Sequence, residues 1–367
     1  MTWIILTAGA DAVAALARVA LSPFFTGPLL LSATCFPQAM RDATRVAIEQ
    51  LPEKLAASIP SNLPASLDSR TATTALWAAF ILGTIIRVNR SLNIMASNAW
   101  RTSPEKGWDW PKEVAVVTGG SSGIGKSIVE QLTALGVRVA VWDVQGLPED
   151  LKANSRVRFY HCDVTSSESV GTAADAVRLE LGHPSILINN AGVAQPGTIL
   201  KMNEKFLRKI LGVNLMSMWF TTQQFLPSMI ENNKGHVVTM ASLASFVALA
   251  TAADYSATKA GALSFHESLT SEIKHLHKAP GILTTVVHPN FVKTPMIAHF
   301  SDKLEKAGVQ LLTGDQIADE VVGQIKNKRG GQLIIPKSLS LVSAIRGWPT
   351  WVQEVVRDSI ARGSVKQ

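Results

Sequence analysis

From residue 113 the chain breaks into short, unbroken apolar runs separated by helix-spaced segments. Glu113–Gly120 (EVAVVTGG) is β-branched and ends in glycines. Gly123–Leu135 (GIGKSIVEQLTAL) sets Ile124, Ile128, Leu132 and Leu135 at helical intervals, and Val137–Val141 (VRVAV) is apolar again. Short runs without polar alternation mark strands covered on both faces. The pattern predicts strand, glycine-rich turn, helix and strand in succession. Farther on, His236–Met240 (HVVTM) predicts another such strand, and Ala252–Ser268 (AADYSATKAGALSFHES) a helix.

Ahead of residue 112 the pattern differs. Thr2–Phe25 is apolar but carries Asp11 and Arg18, and Gly27–Pro37 is a short apolar stretch broken by Pro28 and Pro37. Residues 52–66 (PEKLAASIPSNLPAS) hold three prolines and read as a linker. Thr71–Ile86 then runs sixteen residues without a charge. Continued through Val88, with Arg87 snorkelling, it reaches the lower limit of about 17 residues for a spanning helix. A core helix or an interfacial helix shares that composition. The reading adopted is a membrane helix over 71–88, with 2–25 as a second candidate anchor. The 2–25 segment lacks the basic start and clean apolar run of a signal peptide. Arg87, Arg90, Arg101, Lys106 and Lys112 follow the main segment, which places what comes after on the cytosolic side. Asn89-Arg90-Ser91 fits the glycosylation pattern but would lie against the bilayer on that side, so it reads as unused.

Composition agrees with an anchor. Of 367 residues 47% are apolar and only 17% charged, against roughly 25% charged in ordinary soluble domains. Mean hydropathy is +0.18. The net charge is +7, and residues before 112 contribute +2 of it, from nine basic and seven acidic side chains. No run of five or six like charges and no interleaving of basic with aromatic residues occurs, so nucleic acid is not an expected partner. A mildly basic surface suits anionic lipid. Two cysteines, Cys35 and Cys162, make neither a disulfide framework nor a cysteine zinc site, and suggest a reducing compartment. The histidines are scattered, and no metal is expected.

The candidate chemistry begins at the glycine-rich turn. Gly119, Gly123 and Gly125 follow G-x-x-x-G-x-G spacing between a strand and a helix. Such glycines let backbone approach a pyrophosphate, which the helix N-terminus attracts. Asp143 ends the second strand, where a carboxylate binds ribose hydroxyls and repels a 2′-phosphate. That favours NAD(H), while Lys126 on the first helix leaves NADP(H) open. Tyr255 and Lys259 lie four apart on one helix face. A tyrosine near pKa 10 becomes a usable acid or base at neutral pH when an ammonium stabilises its phenolate. Ser242, at the end of a strand thirteen residues earlier, could hold a substrate oxygen; Ser245 is a minor rival.

Together these pieces closely resemble the short-chain dehydrogenase/reductase superfamily. The likeness is carried by Thr118–Gly125 (TGGSSGIG), Asp163 in CDV, Asn189–Gly192 (NNAG), Asn214, Ser242, Tyr255 and Lys259, and covers 112–336. Gly235–Ser242 (GHVVTMAS), His288–Thr294 (HPNFVKT) and Leu333–Ser338 (LIIPKS) resemble its membrane-anchored retinol and hydroxysteroid dehydrogenase branch. The resemblance implies an α/β, doubly wound Rossmann fold with a seven-stranded parallel sheet. It implies carbonyl–alcohol chemistry on an apolar substrate, with Tyr255 as acid/base and Lys259 lowering its pKa and holding the nicotinamide ribose. Ser242 would orient the substrate oxygen and Asn214 support a proton relay. Gly119, Ser121, Ser122, Gly123, Ile124, Gly125, Asp143, Asp163, Asn190, Val292 and Thr294 would bind NAD(P)(H). Pro295–Leu312, with Met296, Ile297, Phe300, Leu304 and Leu311, would lie over the substrate. A homodimer is compatible with the resemblance. The expected organisation is an anchor region 1–111, a catalytic domain 112–336 and an extension 337–367. The expected location is the membrane of the endoplasmic reticulum or a lipid droplet, with the catalytic domain facing the cytosol. The alternative reading is a non-catalytic, cofactor-binding scaffold on a membrane.

Overall fold

The computed structural model describes residues 17–36, 38–39, 42, 46, 50, 70–101, 107–306 and 308–365. Residues 2–16 of the first apolar segment and the linker at 52–66 lie outside them. The chain divides into two compact units, one within 5–93 and one from residue 94 onward.

In the first unit, helix α1 (Pro23–Cys35) runs through Pro28, which the sequence reading took as a break. Proline's fixed φ is helical, so the helix loses one backbone hydrogen bond there but continues. Most of helix α2 (Arg70–Ser97) belongs to the same unit and meets α1 at Gly83, where a Cβ would stand 1.7 Å from the Leu21 carbonyl oxygen. The Arg87 guanidinium lies 4.4 Å from the centre of the Phe24 ring. The helix is longer than the predicted 71–88, because Arg87 and Arg90 interrupt the apolar run without interrupting helical spacing. Leu92, Ile94 and Met95 then resume it. By length and composition Thr73–Ser97 is able to cross a membrane, and only 6% of its apolar window is buried.

The second unit is built on seven parallel strands in the order β3-β2-β1-β4-β5-β6-β7. They are β1 (Val114–Thr118), β2 (Arg138–Asp143), β3 (Val157–His161), β4 (Ile186–Asn189), β5 (Gly235–Met240), β6 (Ile282–Pro289) and β7 (Gly331–Ile335). β1, β4, β5 and β6 are buried along their whole length. Period-2 geometry divides their side chains between two cores. Ala115, Val117, Val139 and Val141 face helices α3 (Gly123–Ala134) and α8 (Gly314–Lys326). Val116, Ala140 and Trp142 face α4 (Ser167–Leu181), α6 (Ser217–Glu231) and α7 (Ala253–Ser271). Helix α5 (Glu204–Leu211) precedes α6. After β7 the chain makes a 3-10 stretch, Lys337–Gly347, and helix α9 (Thr350–Val365).

Two features position the site. Strand order reverses between β1 and β4, and the crevice beyond their carboxyl ends is where such sheets bind ligands. The end of α2 is also fixed to this unit. Buried Asn98 donates from Nδ2 to the Gly330 carbonyl (3.0 Å) and accepts from the Gly330 N–H (2.8 Å), and Lys274 Nζ donates to the Ala96 carbonyl (3.0 Å).

Candidate active site

The turn after β1 is built around its glycines. Gly119 (φ 64°) and Gly123 (φ 53°) occupy the left-handed region. At Gly125 a Cβ would sit 2.1 Å from the Gly119 carbonyl oxygen and 2.6 Å from Asn190 Nδ2. Asn190, just past β4, braces the same turn by donating to the carbonyls of Thr118 (2.9 Å) and Gly119 (3.1 Å). Thr118 Oγ1 in return accepts the N–H groups of Asn190 and Ala191, both at 3.0 Å. Ser122 is the N-cap of α3, but its hydroxyl makes no capping bond, so the amides of the first helical turn have no side-chain acceptor. A glycine-rich turn under a helix N-terminus without a side-chain cap fits a dinucleotide pyrophosphate. Ile124 packs on the core, so any contribution of its own is through backbone.

Asp143 lies beside this turn. Its Oδ2 accepts from Ser121 N (3.1 Å) and its Oδ1 from Gln145 N (2.9 Å), while Ser121 Oγ donates to the Gln145 carbonyl (3.1 Å). Lys126 is engaged elsewhere: its Nζ is 2.6 Å from Asp150 Oδ2 and also pairs with Glu130. Those two carboxylates hold its ammonium above the usual lysine range. Thr294 reaches the turn from the far side of the sheet, since a Cβ on Gly123 would be 3.1 Å from its methyl carbon. Val292 is buried and bridges to Leu312. Asp163 is exposed and accepts from Thr165 N (2.9 Å) and Thr165 Oγ1 (2.8 Å), which shapes the loop after β3.

The reacting groups gather at the end of β5. Ser242 Oγ accepts from Ala244 N (3.2 Å) and stands close enough to the Tyr255 hydroxyl to act on its pKa. Tyr255 stands in the first turn of α7. Lys259, one turn on and buried, donates from Nζ to the Met240 carbonyl (2.7 Å) and lies 5.6 Å from the centre of the Tyr255 ring. Burial raises the Tyr255 phenol above its ordinary value, and the neighbouring Ser242 hydroxyl opposes that rise. Burial lowers the Lys259 ammonium to about 8. Ser245 is wholly buried and donates to the Lys259 carbonyl (2.8 Å). Its hydroxyl therefore serves the helix, and Ser242 is the serine beside Tyr255.

Asn214 sits in a π-helical turn, Gly212–Met216, where α5 runs into α6. Its Oδ1 accepts from Val193 N (2.8 Å), and its Nδ2 donates to the Val193 carbonyl (2.9 Å) and Thr258 Oγ1 (3.3 Å). It thus ties the loop after β4 to the helix that carries Tyr255. Of the segment expected over the substrate, Met296 lies against Gly192, while Ile297 and Leu304 are buried and close the domain instead.

Two residues at the site have contacts to which the sequence assigns no role. His288, on β6, has its Nδ1 3.0 Å from the Ser242 carbonyl oxygen and its Nε2 3.2 Å from Gln332 Nε2. The Gln332 amide can only donate, which assigns the imidazole proton to Nδ1 and makes His288 the donor to Ser242. Burial keeps that ring neutral, with its pKa near 4. Arg346, in the C-terminal extension, donates to the carbonyls of Ser245 (2.8 Å) and Phe246 (3.3 Å). Phe246 and Val247 share a small core with Ile345, Trp348, Val356 and Ile360. The extension therefore clamps the loop between Ser242 and Tyr255.

The family profile described as short chain dehydrogenase matches residues 113–305. The chain is 41% identical over 180 residues to dehydrogenase RED2 of Cochliobolus heterostrophus, covering 49% of this chain and 68% of that protein. It is 30% identical over 239 residues to human estradiol 17-beta-dehydrogenase 11, covering 64% and 78%. A solved actinorhodin polyketide ketoreductase with NADPH superposes with a TM-score of 0.55 at 27% identity, over 62% of this chain and 97% of that one.

Proposed function

This chain belongs to the short-chain dehydrogenase/reductase family and is an NAD(P)-dependent oxidoreductase, and from that premise we propose that it interconverts an alcohol and a carbonyl on an apolar substrate at a membrane. The substrate classes that fit are retinoids, steroids, fatty alcohols and polycyclic natural products. The observation that carries the reading is Tyr255 beside Ser242, with the buried Lys259 Nζ 5.6 Å from its ring centre and held by the Met240 carbonyl, at the end of the strand next to the glycine turn.

Bound NAD(P)(H) supplies the hydride acceptor or donor. Tyr255 takes the proton from the alcohol oxygen, or returns it to the carbonyl oxygen. Ser242 orients that oxygen, while His288 holds the serine's own carbonyl and Arg346 the carbonyls three and four residues beyond it. The uncharged stretch Leu243–Ala253 excludes water from the reacting centre. An apolar substrate is supported by that stretch and by the hydroxysteroid relative, whose name assigns it estradiol. Membrane association is supported by α2. The proposed site is the endoplasmic reticulum or lipid-droplet surface, with the catalytic unit in the cytosol.

Full-length protein in vesicles, screened against apolar alcohols and ketones with NADH and NADPH, tests the reading by nicotinamide absorbance. Turnover of an apolar substrate is the expected result. Binding of NADH with no turnover across the screen would replace it with the scaffold reading.

NAD(H) is the proposed preference, because Asp143 presents a carboxylate and Lys126 is already neutralised by Asp150 and Glu130. Asp143→Ala is then expected to shift the ratio of kcat/KM values toward NADP(H) by about tenfold or more, equivalent to about 1.4 kcal/mol. A wild-type enzyme already preferring NADP(H) would overturn the assignment.

A further inference from the structure

The loop between β4 and α5 carries a feature the catalytic site does not use. Ile199 and Leu200 form a single 3-10 turn with Lys201 and are 77% and 96% exposed. Large aliphatic side chains this bare, side by side, have no packing role in the unit that presents them. Lys201, Lys205 and Lys209 follow at four-residue intervals, all exposed and without a carboxylate partner among the described residues. The nearest acid, Glu204, is taken by Arg208.

This turn borders the active site. Gly197 bridges to Ala252, and its N–H donates to the Thr251 carbonyl (2.8 Å), four residues before Tyr255. The opposite flank of the same catalytic loop is held by the C-terminal extension, where Trp351 is 72% exposed.

We propose that the Ile199–Lys209 segment docks on an anionic phospholipid bilayer, so that the rim of the active site rests on the lipid that dissolves its substrate. The chemistry of the segment matches that occupant. Two aliphatic side chains suit the acyl boundary, and three exposed ammonium groups suit headgroup phosphates. Each lysine near an anionic surface strengthens binding by about fivefold. The proposal rests on the membrane reading above, since α2 would hold the unit near a bilayer.

The test uses the full chain in a Cys35→Ser background; Cys162 is buried and escapes labelling. An environment-sensitive fluorophore is placed at Leu200→Cys, or at Leu179→Cys as an exposed control on α4. Both proteins are reconstituted into phosphatidylcholine vesicles with or without phosphatidylserine, containing a shallow nitroxide lipid. The expected result is strong quenching at position 200, weak quenching at 179, and loss of most of the difference when Lys201, Lys205 and Lys209 are all changed to Gln. Equal, weak quenching at both positions in vesicle-bound protein overturns the docking proposal while leaving the anchor intact. Protein that does not co-sediment with vesicles overturns the membrane reading and the docking together. A blue shift at position 200 without vesicles would assign the turn to a protein contact and also overturn it.

Discussion

Tyr255→Phe is expected to leave a folded protein that binds nucleotide normally and turns over about 10²–10⁴ times more slowly, the usual contribution of a general acid or base. The substitution keeps the ring, its packing in α7 and its place over Lys259 Nζ. It removes one hydroxyl, the one beside Ser242. Even a whole neutral hydrogen bond is worth only about 1 kcal/mol, so the melting temperature should fall by no more than about 2–4 °C in a unit of this size. Progress curves at saturating substrate, with cofactor titration by nicotinamide fluorescence, separate the two effects. Full activity in this variant would sink the mechanism. A matching loss of cofactor affinity would move Tyr255 from the chemistry to the binding step.

Gly125→Ala is expected to abolish cofactor binding at millimolar nucleotide and to destabilise the unit by about 1–3 kcal/mol, the range for forced overpacking. The added carbon meets backbone and a bonded amide: the Gly119 carbonyl oxygen at 2.1 Å and Asn190 Nδ2 at 2.6 Å. Neither has room to give. Gly119 already sits at positive φ, and Asn190 is bonded to two carbonyls. Gly171→Ala is the control, because nothing lies within 4 Å of a Cβ there in the middle of α4. It should be neutral, or stabilising by up to about 1 kcal/mol. Equal behaviour of the two alanine variants, by nucleotide titration and thermal melts, would remove the role assigned to the turn.

β1, β2 and β5 were legible in the sequence because they are buried on both faces, and a run such as Val114–Val117 has only one comfortable setting; the partly exposed edge strands β3 and β7 carry no such run. The glycine turn and the Tyr255–Lys259 pair were legible because their spacing is itself the chemistry. What escaped is long-range and uses backbone. His288 touches the Ser242 carbonyl across forty-six residues, and Arg346 reaches Ser245 across 101. A donor aimed at a carbonyl oxygen needs no complementary side chain, so no pair of residue types betrays it. Lys126 shows a related limit. The sequence presents a free cation near the cofactor site, and only folding brings Asp150 to it. The length of α2 escaped for a different reason: Arg87 and Arg90 end an apolar run but, as good helix formers, do not end a helix.

The reciprocal pair between Asn98 and Gly330 bears on where the catalytic unit can be cut free of α2. Gly330 immediately precedes β7, the edge strand, and a Cβ there would stand 2.5 Å from the Thr284 carbonyl oxygen of β6. The amide and carbonyl of Gly330 are satisfied by one side chain, Asn98, that follows directly on α2. A truncation at residue 112, where the dehydrogenase pattern starts, would strip that side chain and leave two backbone groups open at the sheet's exposed margin. An edge with unpaired groups invites strand addition from a second chain. The cut that yields a well-behaved soluble enzyme therefore falls inside α2, just before Ile94, so that its last turn stays with the sheet.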